Sequence, residues 1–293
     1  MAEAPSETPP FARIAIVGFG LIGGSIALAI RERWPSALII AVDRRDVIET
    51  AMRMHAADVG ADDLVMAADA ELIVLAAPVR TNIRMLATLG GHVAGDALVT
   101  DTGSTKREMV EAARGLPARL RFIGGHPLAG AAVGGLAAAR PDLFTGRPWI
   151  LTPTCESGDQ PLAMLTTFIA ALGGAVQVLA PDAHDALVAY LSHLPQLAVT
   201  ALMHVVGGHA GEDGLSLAGR GLRDTTRLAT SPAGIWRDIA ATNHDYISRA
   251  IDDLIAVLQQ LKSAPGDEGT AIEDTFASAA EWKRVLERVG ERT

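Results

Sequence analysis

Cysteine is nearly absent: the 293 residues contain one, Cys155, in the stretch Thr-Pro-Thr-Cys-Glu-Ser-Gly. A lone thiol excludes an internal disulfide, and CxxC spacing of the metal or redox kind is missing. A reducing, cytoplasmic setting is the expectation. Aromatic residues make up only 4%, so a core must be filled by the Ala, Val, Leu and Ile that dominate the 49% hydrophobic fraction. Positive charge is also scarce. Lys and Arg number 25 against 34 Asp and Glu, a net charge of -9 with no long basic run, which disfavours nucleic acid or an anionic membrane surface as partner and leaves small molecules. Long apolar runs are few. The most membrane-like, "IAIVGFGLIGGSIALAI" over residues 14–30, is interrupted by four glycines and preceded by Glu3 and Glu7. It reads as neither a span nor a signal peptide. HxH and HExxH patterns are missing too, so no metal is expected.

What is present is alternation. "RIAIVGFG", "ALIIAVD", "ELIVLAAP" and "ALVTDTGS" are short apolar runs, each followed by a stretch that reads as helix. This predicts a doubly wound parallel sheet of the Rossmann kind. Within it, "GFGLIGG" supplies Gly18, Gly20 and Gly23 at G-x-G-x-x-G spacing, after a strand and opening a helix, and Asp43 follows 20 residues beyond Gly23. In that context the glycines serve a tight turn, close approach of a pyrophosphate, and helix–strand packing. Asp43 accepts from an adenosine ribose, which favours NAD over NADP, although Arg44 offers a guanidinium to adenine or to a 2′-phosphate. Ile22, Arg44 and Pro78 complete the expected cofactor contacts.

The length suits two domains. Residues 1–10 read as a loose tail, 11–179 as the dinucleotide-binding domain and 180–293 as an all-α substrate and dimerisation domain. In the second half Pro195 predicts a kink beside Ser192, His193 and Gln196. A homodimer is expected from the apolar helices.

Hydride transfer needs a base for the accompanying proton. Of eight histidines, His55, His92, His204, His209 and His244 read as ordinary imidazoles, the third and fourth flanking a Gly-Gly loop. His126, in "GGHPLAG", closely follows a strand of the cofactor-carrying half, where such folds bind ligands. Ser104 holds the matching place after the preceding strand. Either Ser104 or Thr105 caps the next helix, Thr105 with Glu108 fitting a capping box, or Ser104 bonds His126 and fixes its tautomer. "RGLRDTTRLATSPAGIWRDI" offers Arg220, Arg223, Arg227 and Arg237, each an anchor for an acidic substrate or a structural partner of Asp224 or Asp238.

Five ordered motifs, "VGFGLIGGSIALAI", "DTGSTK", "GGHPLAG", "SHLPQ" and "GLRDTTRLATSPAGIWRDI", resemble the prephenate/arogenate dehydrogenases of tyrosine biosynthesis from residue 13 to about 260. The resemblance implies NAD-dependent oxidative decarboxylation. His126 is then the base at the C4 hydroxyl, Ser104 its partner, Arg227 the carboxylate anchor, Trp236 a pocket residue and His193 the "SHLP" histidine. On this reading His126 and Arg227 meet opposite ends of one substrate. Ala131, Ala132 and Gln196 depart from the family, which commonly carries Ser or Thr, then Glu, and His there; this leaves prephenate against arogenate open. With no regulatory domain expected after residue 293, tyrosine inhibition would act at the active site. Two rivals are a 3-hydroxyacid dehydrogenase, which needs a lysine base that the helix over 183–206 lacks, and a nucleotide-sensing protein without catalysis.

Overall fold

The computed structural model describes residues 8–130, 133–264 and 270–290. Most of the expected tail, and Ala131 and Ala132, lie outside them. The described residues form eight strands: β1 Arg13–Val17, β2 Leu38–Val42, β3 Val59–Ala61, β4 Leu72–Leu75, β5 Ala97–Asp101, β6 Leu120–Pro127, β7 Pro148–Thr152 and β8 Ala175–Val178. The helices are α1 Leu21–Arg33, α2 Arg45–Arg53, α3 Val79–His92, α4 Arg107–Ala113, α5 Asp159–Ala171, α6 Pro181–Val188, α7 Leu194–Ser216, α8 Arg220–Thr225, α9 Ala233–Thr242, α10 His244–Ser263 and α11 Thr270–Gly290.

The strands are continuous apolar runs because both faces of the sheet are covered. In β1, Ile14 and Ile16 enter the layer under α1 and α5, while Ala15 and Val17 enter the layer under α3 and α4. All four are buried. The sheet order is β3-β2-β1-β4-β5-β6-β7-β8, so the chain reverses its winding between β1 and β4. Six strands run parallel, but β7 pairs antiparallel with β6, and β8 follows β7. Among the described residues of the connection over 128–147 the helical structure is a 3₁₀ turn, Leu136–Ala138. Without a crossover helix the chain cannot return parallel, which modifies the all-parallel expectation at this one edge.

The described residues form two compact units. One takes those up to Val188 together with Thr230–Asn243; the other takes Ala189–Ala229 and those from His244 onward. The chain therefore passes between them at 188/189, 229/230 and 243/244. The second unit is all helical. Pro195 opens α7, but His193 before it is itself helical (φ -74°, ψ -47°), so the missing amide falls inside a helical run. The deformation expected there occurs just upstream, as a π-helical turn over Ala189–His193. Gly207 and Gly208 lie inside α7, so His204 and His209 flank no loop. The helix breaks instead at Gly211, with φ +60°.

Candidate active site

Because β1, β4, β5 and β6 are parallel, their carboxyl ends share one edge of the sheet. The turn after β1, Pro78 after β4, Ser104 after β5 and the end of β6 line that edge. At the switch point the turn packs tightly: Gly18 has φ +96°, and a Cβ on it would lie 2.5 Å from the Ala77 amide nitrogen. A Cβ on Gly23 would lie 2.0 Å from the Gly18 carbonyl oxygen, whereas one on Gly20 would meet nothing within 4 Å. Two of the glycines thus serve packing, and the third borders open space at the N-terminus of α1. That terminus has no acidic residue in its first turn, so its amides suit a pyrophosphate. Ile22 lies half-buried in the same turn, and exposed Pro78 caps α3.

Asp43 faces this turn. Its Oδ2 accepts from the Phe19 amide at 2.6 Å and its Oδ1 from the Arg44 amide at 2.6 Å, which puts the carboxylate where an adenosine ribose is held in such folds. The Arg44 side chain is 78% exposed, beside Asp46 at 3.5 Å. The residues therefore fit a dinucleotide.

His126 lies within β6, opposite Ile150 of β7, so the expectation that it follows the strand is corrected. The pairing of β6 with β5 ends at Ile123; three further residues carry His126 roughly 10 Å beyond it. Gly124 and Gly125 permit this course. A Cβ on the first would lie 2.3 Å from Thr152 Oγ1, and one on the second 2.4 Å from the Asp101 carbonyl oxygen. The Gly125 peptide is held from both sides: its amide donates to Asp101 Oδ1 at 3.1 Å and its carbonyl accepts from Lys106 Nζ at 2.7 Å. Lys106 and Asp101 are themselves ion-paired with no exposure of either side chain. Burial pulls the Lys106 ammonium below its ordinary value, with Asp101 and then Asp185 opposing.

The imidazole of His126 is held by residues that sequence reasoning passed over. His126 Nδ1 lies 2.8 Å from His184 Nε2, and His184 Nδ1 lies 2.8 Å from Asp185 Oδ1. Asp185 also accepts from the amides of Lys106 at 2.7 Å and Arg107 at 2.9 Å, capping α4 from α6. This corrects the capping-box reading: Thr105 precedes the N-cap and its hydroxyl bonds Thr242 Oγ1 at 2.7 Å. Burial lowers the affinity of His184 for a proton, against the Asp185 hydrogen bond. Burial pushes the Asp185 carboxyl up, but the hydrogen bonds from His184 and the Arg107 and Lys106 amides outweigh it and hold it below its ordinary value.

Ser104, half-buried, makes no hydrogen bond to His126 among the described residues; the Nδ1 of His126 is engaged by His184. Trp236, half-buried on α9, belongs to the same unit, and the Thr105–Thr242 bond fastens its helix beside Ser104. His193, Gln196 and Arg227 belong to the other unit. His193 is buried in the π-helical turn. Gln196 Nε2 donates to the Leu228 carbonyl at 2.7 Å and to Thr200 Oγ1 at 3.1 Å, tying α7 to the residue after Arg227. Arg227 is exposed. Among the described residues no ion pair engages Arg220, Arg223, Arg227 or Arg237, so the structural-partner account with Asp224 or Asp238 falls away.

Residues 26–178 match the prephenate dehydrogenase nucleotide-binding domain and residues 180–270 the prephenate dehydrogenase dimerisation domain. The chain belongs to the prephenate dehydrogenase family. It is 34% identical to a prephenate dehydrogenase of Bacillus subtilis over 258 residues, covering 85% of this chain and 69% of the relative. Among solved structures it is similar to the arogenate dehydrogenase of Synechocystis, with TM-score 0.79 and 30% identity over 94% of this chain and 99% of that one. It is also similar to the prephenate dehydrogenase of A. aeolicus in complex with hydroxyphenyl propionate and NAD+, with TM-score 0.86 and 28% identity over 94% and 97%. The family membership sets aside both rivals, the 3-hydroxyacid dehydrogenase and the nucleotide sensor.

Proposed function

We propose that this family member is an NAD-dependent dehydrogenase that converts prephenate to 4-hydroxyphenylpyruvate, with His126 as the base. One observation carries the assignment of the base: an imidazole at the end of β6, on the carboxyl edge that also carries the dinucleotide turn, with Nδ1 engaged behind it by His184. A dinucleotide held by the α1 amides and Asp43 would supply the acceptor for the C4 hydrogen as hydride; loss of that hydrogen leaves a ring carbonyl and lets the ring carboxylate depart as carbon dioxide with aromatisation. His126 takes the proton of the C4 hydroxyl and returns it to the phenolate oxygen that forms, so charge and protons balance. Asp43 selects NAD by repelling a 2′-phosphate. Arg227, exposed and in no ion pair among the described residues, binds a substrate carboxylate through its guanidinium fork; Trp236, His193 and Gln196 are substrate-binding residues, and the Gln196 amide also holds the Leu228 carbonyl next to Arg227.

Arogenate is the second reading. It is favoured by the neutral amide of Gln196 and by a solved neighbour named as an arogenate dehydrogenase. The apolar helix of the dimerisation region supports a homodimer, and the biosynthetic character of the relatives supports a cytoplasmic enzyme.

Turnover of prephenate and of arogenate, each with NAD and NADP, tests the reading. NADH formation from prephenate is expected, and inactivity on both substrates would overturn it. His126→Asn should lower kcat about 10²- to 10⁴-fold with little change in KM. Arg227→Ala should act mainly on KM, through loss of a charge-assisted contact of roughly 1.5–3 kcal/mol.

A further inference from the structure

We infer that His184 and Asp185 form a relay that sets the tautomer of His126, keeping its Nδ1 protonated and its Nε2 as the lone-pair nitrogen that receives the substrate's proton. The inference rests on reading His126 as the base. It follows from the direction of two hydrogen bonds. Asp185 takes four donations, from His184 Nδ1, the Lys106 and Arg107 amides and the Arg107 Nε. A carboxyl so surrounded is ionised and only accepts. His184 must therefore donate from Nδ1, and as a fully buried ring disfavoured from carrying charge it leaves Nε2 bare. A bare Nε2 at 2.8 Å from His126 Nδ1 requires the proton to sit on His126. The reverse tautomer of His126 would bring two lone pairs face to face.

The charged groups facing His184 in this unit are Asp185, Lys106 and Asp101. Lys106 joins the two halves of the arrangement. Its side chain holds the carbonyl of Gly125, the residue before His126, while its amide holds Asp185. Base and relay are thereby fixed to one residue of the loop after β5. His184 and Asp185 are positioning residues, acting through His126.

Long-range 1H–15N correlation spectra of the full chain labelled at histidine nitrogens, taken above neutral pH, read the tautomers directly. His126→Asn and His184→Gln assign the signals. Both rings should show the Nδ1–H form; an Nε2–H form of His126 would overturn the inference. In turnover, His184→Phe keeps a planar ring but removes the acceptor. It should lower kcat about 10²-fold, with the KM for prephenate and the Kd for NAD changed by no more than about threefold. His184→Gln, whose amide oxygen can accept from Nδ1, should restore kcat to within about tenfold of the original. A folded His184→Phe with kcat within about threefold of the original would also overturn it. Should His184→Phe fail to fold, the spectra decide alone. If the unaltered chain oxidises neither substrate, the dehydrogenase reading fails, while the tautomers remain readable in the resting protein.

Discussion

Lys106 has no solvent exposure, a rare state for an ammonium group, and it persists because every neighbour answers it. Asp101 supplies the countercharge, the Gly125 carbonyl accepts a second N–H, and the desolvation that remains draws the lysine's affinity for protons down. The same logic gives a pH dependence to His184 and Asp185. His184 binds its proton less well in the folded chain than at its ordinary 6.5. The unfolded chain therefore protonates first on acidification, and the contribution of His184 is complete above 6.5 and declines below it. Asp185, held below its ordinary 3.8, adds stability that is complete above 3.8 and is lost as pH falls through its folded value. Urea midpoints should thus fall as the pH is taken from neutral down through 6.5 and below, and this slope should flatten in His184→Gln. A midpoint that rose on acidification would contradict the account.

At the scale of the element, the strand–turn–helix unit from β1 to α1 separates two uses of glycine. Gly18→Ala forces a side chain into positive φ and against the Ala77 amide, and should lower Tm by several degrees, a cost of roughly 2 kcal/mol or more. Gly20→Ala meets nothing within the chain. It should leave Tm within about 2 °C, yet weaken NAD binding measured by fluorescence titration. Equal loss of Tm in both would show that the space at Gly20 is not the dinucleotide's.

This unit was legible in the sequence because apolar runs, glycine spacing and Asp43 all report local geometry. The reversal at β7 was not, since an apolar run of five residues has no direction; the clue lay in the absence of a helical pattern between 128 and 147. His184 was missed for a similar reason. "AHDALVAYL" reads as one more amphipathic turn, and the amides that orient Asp185 lie 78 and 79 residues away. Thr105 misled the reading in the opposite sense: its spacing to Glu108 satisfied a local rule, but Asp185 supplied the cap through space.

Over the whole molecule, the stretch Pro181–Ser216 is long and apolar enough to cross a membrane, yet much of its apolar surface is not buried within the chain. Its family assignment is a dimerisation domain, and Leu191, Leu202 and Val205 stand exposed along it. Leu202 and Val205, three residues apart on α7, share one side of it. The homodimer proposed above would cover these side chains. Light scattering at micromolar concentration should give about twice the 30.6 kDa chain mass, and Val205→Asp should shift it toward one chain by burying an unpaired charge at the contact. A single-chain mass for the unaltered protein would oppose the dimer.

The return of Thr230–Asn243 to the first unit bears on how this chain can be cut. A nucleotide-binding half excised at Val188 would strip Thr105 of the Thr242 hydroxyl and the Asp185 carbonyl of the Asn243 amide, baring a polar seam beside His184. A faithful isolated half would have to be spliced from two separate lengths of chain.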